Sequence, residues 1–141
     1  MDVLGRGIIA GFLATLVLSA LLDPMTTVAR TADVLPPTFG WLLHFFVGSF
    51  IWGATFAGVH TWIRGPFWLR GIFFGAAAWL FVMLAIMPLT RAGFFGLQLG
   101  VVAPVVMLIV HLLYGALLGF FFSALRSANG PPQNHRSYAR P

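Results

Sequence analysis

Residues 104–125 read PVVMLIVHLLYGALLGFFFSAL, a run with no charge whose only polar side chains are His111, Tyr114 and Ser123. A helix of about 20 residues crosses a hydrocarbon layer of about 30 Å, so this run is long enough to span a membrane. Three more runs, at 4–23, 38–62 and 68–88, are comparably apolar. Of the 141 residues, 60% are hydrophobic and 8% charged, and the mean hydropathy is +0.94. A water-soluble domain of this size has too small an interior to hide that much apolar surface. Lipid requires each spanning segment to satisfy its own backbone hydrogen bonds, and the runs lack the alternation of barrel strands. The expected fold is therefore all-α and polytopic, with four transmembrane helices. The expected organisation is a transmembrane domain over 1–125 and a basic, disordered cytoplasmic tail over 126–141.

All eight basic residues are arginines. Arg6, Arg64, Arg70, Arg126, Arg136 and Arg140 fall at the termini or between the second and third segments, whereas Arg30 and Arg91 fall in the other two connections. That imbalance predicts both termini in the cytoplasm. The net charge of +5 then reports topology and attraction to anionic lipid headgroups, through Arg64, Arg70 and Arg126, and no nucleic-acid surface is expected. With no cysteine, the chain has no disulfide, thiolate nucleophile or thiolate metal ligand. The first segment is longer than the apolar part of a signal peptide and reads as a retained helix.

An internal repeat supports that reading. RGIIAG at 6–11 returns as RGIFFG at 70–75, and at the same offset Ala14, Leu16, Pro24 and Thr26 meet identical residues. After a three-residue shift Pro37 meets Pro104, His44 meets His111 and Gly48 meets Gly115. The expectation is a duplicated helical hairpin, repeat one at 4–62 and repeat two at 68–125, arranged as parallel repeats about an axis along the membrane normal.

His44 and His111 are the chemistry-bearing residues that the repeat pairs. Interhelical glue is the plain role for an imidazole within a bundle, each ring hydrogen-bonded within the protein. The sharper alternative makes them the two axial ligands of a b-type haem, the Gly48 and Gly115 faces leaving room for the macrocycle. The only acids are Asp2, Asp23 and Asp33, none of them near mid-membrane. No metal site, proton relay or paired-carboxylate catalysis is therefore expected. Asp23, Arg30 and Arg91 form a candidate polar cluster at the opposite membrane surface. His60 is expected at headgroup level beside Trp62 and Arg64.

Small residues recur at close-packing spacing: Gly7 with Gly11, Gly71 with Gly75, and Gly115 with Gly119. With Gly48, these are the expected packing residues. Trp52 and Trp79 are expected to face lipid or a partner. The connection LTRAGFFGLQLGVVA at 89–103 is apolar enough to lie on the membrane surface, with Phe94, Phe95, Leu97 and Leu99 inserted.

Trp41, His44 and Gly48, then Arg70, Gly71, Gly75, Trp79, Met87 and Pro88, then Gly93, Phe95 and Gly96, and finally His111, Tyr114, Gly115 and Gly119 together form a motif set. The chain in this respect resembles an uncharacterised family of small four-helix bacterial inner-membrane proteins. The resemblance implies fold and location and no established activity. The expected function is a non-enzymatic accessory or assembly subunit or a self-associating bundle, with a membrane-protein partner or a second copy. The alternatives are a b-type haem electron-transfer protein and a carrier or channel for a small molecule.

Overall fold

Apolar composition along each run and the lack of competing solvent hydrogen bonds leave helix as the available backbone solution. The computed structural model describes residues 1–22, 37–90 and 92–128. Helix α1 is Val3–Leu22. Helix α2, residues 37–59, joins Pro37–Phe46 and Ala54–Val59 through a π-helical stretch, Val47–Gly53. Helix α3 is Phe67–Leu89. Helix α4 is Ala103–Ala128. All four are long and apolar enough to cross a membrane, so the protein is an all-α, multi-pass membrane protein with four candidate spans.

Proline sets the far end of α3. Pro88 lacks an N–H, and its ring crowds the carbonyl four residues earlier, at Leu84. The helix responds by widening into a π turn at Val82–Ile86, where the Met87 N–H reaches back to the Val82 carbonyl. It then closes in a 3-10 turn, Met87–Leu89. Pro104 falls in the first turn of α4, where a missing N–H costs no intrahelical bond.

Glycine contacts set the distances between helices. An added Cβ at Gly7 would strike the Gly53 carbonyl, and one at Gly11 the Gly48 carbonyl, so α1 and α2 touch backbone to backbone. In the second hairpin Gly71 lies on Gly115, Gly75 on the His111 carbonyl, and Gly119 on the Phe67 carbonyl. Both hairpins therefore use the GxxxG device, but not at equivalent registers. Gly71 meets Gly115, whose repeat counterpart is Gly48, while Gly7 meets Gly53 instead. The π-helical stretch in α2, for which α4 has no counterpart, accompanies this shift of about one turn.

The hairpins come together mainly through α1 and α4. The core gathers Ala10, Ala14 and Leu18 of α1, Phe56 and Ala57 of α2, Phe74 of α3, and Tyr114, Leu118 and Phe122 of α4. Arg6 lies over the Phe122 ring, 5.9 Å from its centroid, which places the start of α1 beside the end of α4. Helices α2 and α3 meet instead through aromatic rings, Trp52 and Phe56 both edge-on to Phe74 at 6.0 and 5.4 Å.

The connection after α3 folds back on itself. Gly93, Gly96 and Gly100 adopt positive φ there, and so does Phe95 at φ 55°. Phe95 turns inward onto the Trp79 ring at 5.9 Å, while Phe94, Leu97 and Leu99 stay exposed as expected of a surface-lying segment.

Candidate functional site

Interior polar groups in a membrane bundle need partners within the protein, because lipid offers none. One such set lies where α1, α2 and α4 meet. The Tyr114 hydroxyl of α4 donates to the Gly48 carbonyl of α2 at 2.5 Å. The Thr15 hydroxyl donates to the Gly11 carbonyl at 2.8 Å, and its oxygen lies where a Cβ on Gly48 would fall. One turn further along α1, Ser19 Oγ shares a hydrogen bond of 3.1 Å with His44 Nε2. Ser49, next to Gly48 in the π-helical stretch, is 2% exposed, and its hydroxyl has no partner among the described residues.

His44 and His111 are each hydrogen-bonded, but only His44 bonds to another helix as interhelical glue would. His44 bonds across to α1, whereas His111 Nδ1 donates to the Met107 carbonyl of its own helix at 2.8 Å. Both rings are half-buried. Bis-histidine haem ligation needs both imidazoles turned onto one iron with the space between them clear. Here His44 spends Nε2 on Ser19, and Tyr114, three residues after His111, bridges to Gly48, four residues after His44. That arrangement gives the haem reading no support.

The second cluster lies at the end of the bundle where the chain begins. His60 is buried rather than exposed: it is 9% exposed and enclosed by Phe56, Phe67 and Phe122, with ring centroids at 5.9, 5.9 and 4.7 Å. Its Nδ1 donates to the Ala57 carbonyl at 2.9 Å. The reason is the turn at residues 60–62, which folds the ring back under α4 when α2 stops at Val59. Arg70 and Arg126 lie over Phe67 at 4.8 and 5.4 Å from its centroid, and Arg6 over Phe122. Arg70 also ties down the connection, donating from Nε to the Gly65 carbonyl at 2.6 Å and from Nη1 to the His60 carbonyl at 3.1 Å.

Trp52 and Trp79 are both half-buried. Trp79 Nε1 donates to the Pro104 carbonyl at 3.0 Å, tying α3 to the first turn of α4, and Phe95 packs edge-on against the same indole. Trp52 lines an open cleft of about 530 Å³ between α2 and α3, with Ile51, Thr55, Val59 and Ile63 on one wall and Phe73, Phe74, Ala77, Ala78 and Phe81 on the other. Neither Ser49 nor this cleft was visible as a site in the sequence. The nearest signal was the pair Ala77 and Ala78, small residues on a helix otherwise rich in large ones. Asp23, Arg30 and Arg91 lie outside the described residues.

A family model, DUF6789, a family of unknown function, matches residues 1–133, and the chain belongs to that family. No curated protein and no solved structure matches it.

Proposed function

We propose that this DUF6789 chain is a non-enzymatic membrane bundle that works through its outer surface, as an accessory or assembly subunit of a larger membrane complex or as a self-associating unit. The observation that carries this reading is how the interior spends its polar groups. Tyr114 is used on Gly48, Trp79 on Pro104 and Ser19 on His44, each between two helices, in a core drawn shut by glycine-to-backbone contacts. Such bonds and contacts are what hold helices together in lipid. The outer faces, in contrast, carry a dense set of large exposed side chains, Phe12 and Leu16 on α1, Leu42 and Phe46 on α2, and Leu113 and Phe120 on α4 among them.

In this reading the chain sits in a bacterial plasma membrane with both termini in the cytoplasm. Arg64, Arg70 and Arg126 there face anionic lipid headgroups. The absence of native cysteine makes the test direct. Single cysteines placed at Leu42, Leu113 and Phe120 are cross-linked in native membranes, and the products identified by mass. A homodimer or one recurrent membrane partner at stoichiometric yield supports the proposal. Monomer at every position, with turnover or flux by the purified protein, would refute it.

A further inference from the structure

The cleft between α2 and α3 is apolar, open to the side, and reaches the connection between the two helices. Its residues run from Ile51 and Phe81 near mid-span to Ile63 in the connection between the two helices. Thr55 is the one hydroxyl on its walls, and it is already spent on the Ile51 carbonyl at 2.6 Å. Apart from the Trp52 indole N–H, the lining is therefore hydrocarbon and aromatic surface. A volume of about 530 Å³ is within the range of small-molecule sites, roughly 300–1,000 Å³.

The end at the connection differs sharply in charge. Arg64 follows Ile63 directly and is exposed. Arg6 is held at Asp2 and Phe122, Arg70 at two loop carbonyls and Phe67, and Arg126 at Phe67. Arg64 has no such partner among the described residues. It is not loosely placed, however, because Arg70 grips the carbonyls of His60 and Gly65 on either side of it. Trp62, 82% exposed, stands two residues away as the amphipathic ring usual at headgroup level.

We infer that the cleft holds one acyl chain of an anionic phospholipid whose phosphate is bound by Arg64. An unpaired guanidinium one residue beyond Ile63, at the end of a hydrocarbon-lined groove, complements a molecule with an anionic head and an apolar tail, and a guanidinium pairs with phosphate through two parallel hydrogen bonds. The headgroup half of this inference rests on the arginine contacts proposed above, while the cleft half stands on the lining alone.

Trp52 on the cleft wall supplies the readout, taken as the difference between the wild-type protein and Trp52→Phe. The protein is placed in nanodiscs containing a small fraction of phospholipid with brominated chains, either phosphatidylglycerol or phosphatidylcholine. Brominated phosphatidylglycerol should occupy the cleft, and so quench Trp52, about fivefold more effectively, the enrichment that one basic residue gives near a charged surface. Arg64→Gln should abolish that preference and Arg64→Lys should keep most of it. Ala77→Phe, which fills the cleft from an exposed position without adding an indole, should protect Trp52 from either lipid. Equal quenching by the two lipids, or a preference that survives Arg64→Gln, would overturn the headgroup assignment. Unchanged quenching in Ala77→Phe would overturn the cleft, even if Trp62 and Trp68 at the membrane surface still prefer the anionic lipid.

Discussion

The hydroxyl of Tyr114 on α4 donates to the backbone carbonyl of Gly48 on α2, two helices that belong to different hairpins. Gly48 is buried in the widened π-helical part of α2, and no side chain stands between its carbonyl and the phenol. This one bond joins the halves of the bundle at the level where Thr15 of α1 also packs on Gly48. Tyr114→Phe should therefore destabilise the protein by about 0.5–1.5 kcal/mol, measured by reversible unfolding in mixed micelles, since it removes one buried hydrogen bond between helices. No change would mean that the carbonyl finds another donor.

The close approach of Thr15 to Gly48 makes a paired test possible. Gly48→Ala puts a methyl group against the Thr15 hydroxyl and should cost about 1–3 kcal/mol by overpacking. Thr15→Ala removes the nearest of the clashing atoms, so the double variant should be more stable than Gly48→Ala alone. Additive losses would show that the cost lies elsewhere.

Glycines of α2 and α4 should separate cleanly by what surrounds them. At Gly115 an added methyl would strike the Gly71 carbonyl, whereas at Gly58 it would meet nothing within 4 Å. Gly115→Ala should weaken the α3–α4 contact by about 1–3 kcal/mol. Gly58→Ala should instead stabilise by roughly 0.5–1 kcal/mol through helix propensity. Thermal midpoints in one detergent would rank the two, and equal effects would contradict the packing described.

Ser49 should be better replaced than kept. Its hydroxyl is buried without a partner among the described residues, a state that costs about 1–3 kcal/mol where nothing compensates. Ser49→Ala should raise stability in the same unfolding assay. A loss would reveal a partner for the hydroxyl, such as a bound water.

The bond between His44 and Ser19 predicts coupling without a cofactor. His44→Ala and Ser19→Ala should be non-additive in a double-mutant cycle, by about 0.6 kcal/mol and at most about 1.7. Protein purified from haem-supplemented cells should show no Soret band. A band lost in both His44→Ala and His111→Ala would restore the haem reading.

The number, length and position of the spans were legible from residues alone. Lipid selects for long apolar runs, a local property that any twenty-residue window displays. The helices begin and end within about three residues of the runs read from the sequence, and the glycine pairs named there do lie at backbone contacts. Proline likewise signalled the end of α3 and the start of α4. The facing of each side chain was not legible. In water a buried helix face is apolar and the opposite face polar, so periodicity tells which side is inside. In lipid both faces are apolar and that contrast disappears.

Tertiary structure alone therefore decided that His60 is enclosed by phenylalanines and that Trp52 looks into a cleft. It also decided that Gly7 meets Gly53 while its counterpart Gly71 meets Gly115. A π turn shifts every later residue around the helix axis, and nothing in a single apolar run announces where the turn will widen. Composition and spacing determined that the chain crosses a membrane four times. Which polar atoms find one another inside it depended on contacts between residues dozens of positions apart, which only the packed bundle brings together.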